Sequence, residues 1–98
     1  MDMVAPEIVG FEISISARDD GTLEAIYIRI AGGDVHKTVE IDGETELMAD
    51  YDIKGQLIGI EILSPVRLSK IASLVDEARR EPFRKTVERY APSEMVLA

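Results

Sequence analysis

The sequence predicts an α+β domain: an antiparallel meander sheet of about five strands, with a C-terminal helix packed on one face and a short helical tail. Three observations predict it. Ile and Val alternate with polar residues between tight-turn signals through the first two-thirds of the chain, the period lengthens to helical spacing after Ser64-Pro65, and the charge divides at the same place. Residues 1–63 hold 14 acids and 4 bases while residues 64–98 hold 5 acids and 7 bases, so the front carries −10 and the tail +2. A chain of 98 residues makes one domain, read as sheet over 8–63, helix over 64–81, and short helix and tail over 82–98. Ile, Val, Leu and Phe supply 29 residues, above the roughly one-fifth level below which chains stay disordered, so a real core is expected.

The strands follow in order. Phe11, Ile13 and Ile15 alternate with Glu12, Ser14 and Ser16. A turn at Asp20-Gly21 sets a register in which Ile15 faces Ile26, Ile13 faces Ile28, Phe11 faces Ile30 and Glu12 faces Arg29. A slip of one residue would oppose each Ile to a polar partner. Gly32-Gly33 marks the next turn, and the same spacing sets Val35 against Ile30, Val39 against Ile26 and His36 beside Arg29. Lys37 is then the misfit on the apolar face, a residue suited to a strand near an edge. Asp42-Gly43-Glu44 breaks the chain. A last hairpin turning at Lys54-Gly55 pairs Tyr51 with Ile58, Ala49 with Ile60 and Leu47 with Ile62. The segments starting at Gly21 and Gly55 echo each other 34 residues apart, sharing Gly-x-Leu-x-small-Ile-x-Ile. Two copies do not build a solenoid, so the echo reads as one hairpin solution used twice.

Beyond Leu63, residues Leu68, Ile71, Ala72, Val75 and Ala78 recur at helical spacing, with Ser64 placed as N-cap and Pro65 at the first helical position. This helix is expected to cover the Ile face of the sheet. Pro82 closes or kinks it, Phe83, Val87 and Tyr90 begin a second, turn-rich segment that ends at Ala91-Pro92, and the last residues are expected to fray.

Charge and composition exclude several functions. Nineteen acids against eleven bases give −8, a balance that repels a phosphate backbone, so nucleic acid is not an expected partner. The apolar run over residues 58–62 is broken by Gly59 and Glu61, far short of the roughly 20 residues that span a bilayer. The acidic start lacks the pattern of a secretory signal, so no membrane partner and a cytoplasmic location are expected. Zero cysteines exclude disulfides, thiolate metal sites and thiol nucleophiles.

Candidate chemistry is thin. Asp50, Asp52, Gly55 and Glu61 match calcium-loop spacing, but Lys54 takes a ligand position and the flanks read as strands, so a plain hairpin is the stronger reading and no metal site or cofactor is expected. His36 is the single imidazole. A hydrolytic or small-ligand site would draw on His36, Arg29 and Glu12 on the polar sheet face, with Ser14, Ser16 or Thr38 as nucleophile and Glu40 as a further acid, though a strand face gathers such residues anyway. Gly32-Gly33 precedes a strand and cradles no phosphate. Tyr27, Met48, Leu57, Gly59 and Leu63 fall opposite the Ile face, where apolar groups invite self-association or a partner. Arg79, Arg80, Arg84, Lys85 and Arg89, with Phe83 and Tyr90 interleaved, form a basic aromatic run suited to an acidic protein surface, its own or another's.

One resemblance adds to this reading. Ala25-Ile26-Tyr27-Ile28-Arg29-Ile30, then Thr38-Val39-Glu40-Ile41-Asp42, then Tyr51-Asp52-Ile53-Lys54-Gly55-Gln56-Leu57-Ile58-Gly59-Ile60-Glu61-Ile62-Leu63 resemble the prokaryotic domain of unknown function 2283 family over about residues 10–66. The Gly-Ile-Glu-Ile-Leu ending is the most specific part. The chain departs from the family in its Asp52-Ile53-Lys54-Gly55 turn, in Leu47-Met48-Ala49 and in the tail after Arg67. The family has no established activity, and the resemblance implies an antitoxin-like or accessory role. The expected function is therefore protein–protein interaction: a homodimer or other homo-oligomer formed through a sheet edge or the Tyr27/Glu61 face, and a small protein partner bound through residues 82–98. The interaction surface expected from sequence comprises Tyr27, Arg29, His36, Glu61, Arg80, Phe83, Arg84 and Tyr90.

Overall fold

The computed structural model describes residues 10–98, so positions 8–9 of the expected sheet lie outside the described residues. The element order is β1 (Glu12–Ala17), β2 (Leu23–Arg29), β3 (Lys37–Ile41), β4 (Glu44–Tyr51), β5 (Leu57–Ile62), β6 (Val66–Arg67), α1 (Leu68–Ala72), α2 (Glu77–Tyr90) and β7 (Val96–Leu97). Strands β1 to β5 form one antiparallel sheet and the helices cover its Ile face, the α+β class that the change of period predicts. Ile26, Ile28, Ile60 and Ile62 from the sheet are fully buried with Ile71 and Phe83 from the helices. Each contributes about 1.5 to 3 kcal/mol by leaving water.

Both outer hairpins keep the expected alternation. Ile15 faces Ile26, Ile13 faces Ile28 and Glu12 faces Arg29, while Leu47 faces Ile62 and Ala49 faces Ile60. Tyr51 departs from expectation: it faces Leu57, because the register shifts after Asp50 and leaves Ile58 as the extra residue. That shift also turns Leu57 from the outer face, where alternation alone would put it, into contact with the core.

The strand order is β1-β2-β5-β4-β3, so Gly32-Gly33 does not close a hairpin and the expected pairs of Val39 with Ile26 and His36 with Arg29 do not form. Strand β5 takes that edge of β2 instead, setting Ile60 against Ile28 and Ile62 against Ile26. An all-Ile seam buries more apolar surface than β3, with Lys37 and Glu40, could offer there. The N–H groups of Ile30 and Ala31 both donate to the Ile58 carbonyl, at 2.7 and 3.1 Å, and carry the chain across the end of β5. Lys37 stands on an edge strand, as its place in the pattern requires. Asp42 and Gly43 both take positive φ (54° and 73°), the left-handed pair that closes a two-residue hairpin between β3 and β4.

The sequence echo is a structural repeat. In the first turn Arg18 N–H donates to the Thr22 carbonyl and Gly21 N–H to the Arg18 carbonyl, and 34 residues later Asp52 N–H donates to Gln56 and Gly55 N–H to Asp52. The irregularity repeats as well: Ser16 faces Ala25 and Ala17 faces Leu23, as Asp50 faces Gly59 and Tyr51 faces Leu57. Equivalent residues Tyr27 and Glu61 face each other across the β2–β5 seam. The four strands β1-β2-β5-β4 therefore have an internal pseudo-two-fold at that pair, and β3 is added to one side only.

The C-terminal third differs most from expectation. The helical segment starts at Leu68 with Arg67 as its N-cap, not at Ser64, and breaks over residues 73–76 rather than at Pro82. Arg80 holds the break by donating from Nε to the Ala72 carbonyl (3.0 Å) and from Nη2 to the Val75 carbonyl (2.9 Å), satisfying acceptors left at the end of α1. Pro82 lies inside α2. An internal proline costs about 3 kcal/mol, and burial of Phe83 and Val87 on the Ile face offsets it. Nor does the end of the chain fray: Val66 N–H donates to the Met95 carbonyl at 3.0 Å, β6 pairs in parallel with β7, and Met95 and Val96 are buried.

Phe83 joins sheet to helix, its ring edge-on to Phe11 at 5.4 Å between centroids. Phe83→Ala is expected to lower unfolding free energy by about 3 to 5 kcal/mol in urea titrations. A chain ending at Glu81 loses Phe83, Val87, Met95 and Val96 from the core together and should show no cooperative transition.

Candidate interaction surface

The face of the sheet opposite the helices is built from the polar half of each alternating strand. Its centre is a tie across four strands. Tyr27 on β2 lies over Gly59 on β5, and its hydroxyl donates to Asp50 Oδ2 on β4 at 2.8 Å. Asp50 Oδ1 accepts from the Thr38 hydroxyl on β3 at 2.6 Å. Glycine at 59 is required by this crossing, since a Cβ there would fall inside the Tyr27 ring and hydroxyl. Burial and the adjacent Asp50 carboxylate push the Tyr27 phenol up to about 12. Its hydroxyl is therefore a fixed donor at neutral pH, neither base nor nucleophile.

Around the tie, Arg29 faces Glu12 on β1 and Gly59 on β5 and donates from Nη2 to the Gly33 carbonyl at 2.8 Å. Glu61 faces Tyr27 on one side and Met48 on the other. The β2–β5 pairing thus brings Tyr27, Arg29 and Glu61 together on this face. His36 is not among them: its backbone N–H donates to the Tyr51 carbonyl (2.8 Å), and it lines a shallow groove with Asp34, Asp52 and Lys54. The hydrolytic reading placed His36 beside Arg29, and Thr38, one of its three candidate nucleophiles, donates its hydroxyl hydrogen bond to Asp50.

The carboxylates of the calcium-like spacing have separate duties. Asp52 Oδ1 accepts the N–H groups of Lys54 and Gln56 and closes its own turn, while Asp50 serves Tyr27 and Thr38. Among the described residues no cluster of three or more His, Asp or Glu is placed to hold a metal ion. No described helix is long and apolar enough to cross a membrane.

The basic aromatic run divides between core and surface, with Lys85, Arg89 and Tyr90 exposed. Phe83 is fully buried on the Ile face and Arg80 is spent on the carbonyls of Ala72 and Val75 at the helix break. Arg79 likewise reaches the Ile30 carbonyl (2.7 Å) and lies 4.5 Å from the centroid of Phe11. Arg84 is half-buried and Tyr90 is exposed, with the Arg89 guanidinium over its ring. Sequence reasoning missed the Tyr27–Asp50–Thr38 tie. Its one signal was a glycine within a strand, which meets Tyr27 only once β2 and β5 pair.

The family model described as "Protein of unknown function (DUF2283)" matches residues 20–64, from the first turn to just past β5. No curated protein and no solved structure matches the chain.

Two measurements test the tie. Gly59→Ala should cost about 1 to 3 kcal/mol in the wild-type background and markedly less beside Tyr27→Ala, which removes the obstruction. Folding favours the neutral phenol over an ordinary value near 10, so stability contributed by Tyr27 is complete below pH 10 and lost as pH rises through about 12. Denaturation midpoints taken across that window should fall less steeply for Tyr27→Phe than for wild type.

Proposed function

With residues 20–64 belonging to the DUF2283 family of proteins of unknown function, we propose that the domain is a protein–protein interaction module that associates with copies of itself through its sheet. The single observation that carries this reading is the one-sided construction of the sheet: both helices pack on the Ile face, and no described element crosses the face bearing Tyr27, Arg29, Glu61 and Met48. Tyr27, Asp50 and Thr38 on that face are tied to one another, which makes its centre a preorganised surface. An accessory or antitoxin-like subunit is the role this construction suits. Phe83, Val87, Met95 and Val96 anchor residues 82–98 in the domain's own core while Lys85, Arg89 and Tyr90 stay exposed, so a small protein partner bound through this segment would meet it docked on the domain and not as a detached tail.

Sedimentation equilibrium of the full chain over a wide concentration range tests the proposal. Weight-average mass should rise from the monomer toward a defined oligomer as concentration increases. A monomer at every concentration would overturn it.

A further inference from the structure

The internal repeat makes β1 and β4 equivalent strands with unequal neighbours. Strand β4 carries β3 on its outer edge, whereas among the described residues β1 is the end strand of the sheet. The effect shows at equivalent positions on the helix-side face: Ala49 is 0% exposed and Ile15 is 51% exposed. The two end strands also differ in protection. Strand β3 carries Lys37, and the extra residues of its irregularity at Glu40/Ile41, Thr45 to Leu47, belong to β4. Strand β1 has neither Lys nor Pro, and the extra residue of its irregularity, Glu24, belongs to β2, which leaves β1 regular. Arg18 N–H points to β2, where it donates to the Thr22 carbonyl. By strand alternation, Ile13, Ile15 and Ala17 turn their N–H and C=O groups the other way, along the free edge.

We propose that this edge of β1 is a strand-acceptor site, and that its occupant is β1 of a second copy, running antiparallel about a two-fold axis at Ile15. The proposal rests on the self-association reading above and specifies its contact. In this register Ile15 meets Ile15 of the second copy, Ser14 meets Ser16, Ile13 meets Ala17 and Glu12 meets Arg18. Apolar meets apolar, and an acid meets a base at both ends. The backbone groups that face outward are the ones this register pairs, at Ile13, Ile15 and Ala17. Strand β3 supplies the internal precedent. On β4, Val39 faces Ala49 and Thr38 faces Asp50. In the equivalent places on β1, the second copy sets a β-branched Ile15 facing Ile15 and a hydroxyl, Ser14, facing Ser16. A two-fold centred on Ser14 leaves Arg18 without a carboxylate, and a shift by one residue opposes Ile to Ser. The result is a continuous ten-stranded sheet with both helix layers on the same side.

The chain has no cysteine, which permits a direct test of register. Ser14 and Ser16 of opposing copies would form a non-hydrogen-bonded pair, with Cα atoms near 4.5 Å and within disulfide range. Mild oxidation of a mixture of Ser14→Cys and Ser16→Cys proteins should yield the mixed cross-linked dimer well above either homodimer. In sedimentation equilibrium, Ile15→Lys, which opposes two like charges on the axis, should weaken self-association by at least about tenfold, with an unchanged circular dichroism spectrum. If wild type self-associates and Ile15→Lys matches it, the edge assignment is wrong while self-association stands. If Ser14→Cys alone links best, the axis at Ile15 is wrong. A wild-type monomer at all concentrations overturns both the contact and the reading it rests on.

Discussion

The pairing of β2 with β5 is the constraint on which the other features depend. It sets Ile26 and Ile28 against Ile62 and Ile60, and all four are fully buried under the helices. The same seam puts Gly59 beneath Tyr27 and so lets a phenol on β2 reach a carboxylate on β4. It also fixes which strands are edges. With β5 inserted between β2 and β4, β3 is driven to one end of the sheet and β1 left at the other. A meander would have buried β3 and left β5 at an edge, with its Ile face half unpaired.

Much of this was legible in the sequence, and the parts that were not share a cause. Alternation of Ile with polar residues and the turns at Gly21 and Gly55 placed the two hairpins and most of their register, because those contacts are local. The 34-residue echo was legible too, down to the Gly-x-Leu start, although its repeated irregularity at Glu24 and Ile58 was not. The β2–β5 pairing was missed because Gly32-Gly33 has the composition of a hairpin turn. Nothing local to residues 30–36 announces that a strand some 30 residues further on, with three Ile on the same face, competes for that edge. Pro82 misled in the opposite sense: its local preference is to end a helix, and tertiary burial of Phe83 and Val87 outweighs it. The basic run read as a surface for the same reason, since sequence charge does not show that Arg79 and Arg80 turn back onto carbonyls of Ile30, Ala72 and Val75.

Fold and function meet in the asymmetry of the sheet. One face is a core, and the other is a polar surface whose central groups, Tyr27, Asp50 and Thr38, are hydrogen-bonded to one another. The two ends are unlike in the same way: β3 carries Lys37, whereas β1 has neither Lys nor Pro and exposes Ile15. Duplication of the hairpin gives a physical reason for that difference. A hairpin that accepts an added strand on its second appearance keeps the geometry to accept one on its first, and a copy of the same chain is a partner with complementary charge and hydropathy.

Amide hydrogen exchange read residue by residue at low and high protein concentration tests this account most directly. The account predicts that the N–H groups of Ile13, Ile15 and Ala17 gain protection as concentration rises, while amides along the opposite edge, on β3, do not change. Equal exchange at β1 across concentrations at which the chain self-associates would contradict it.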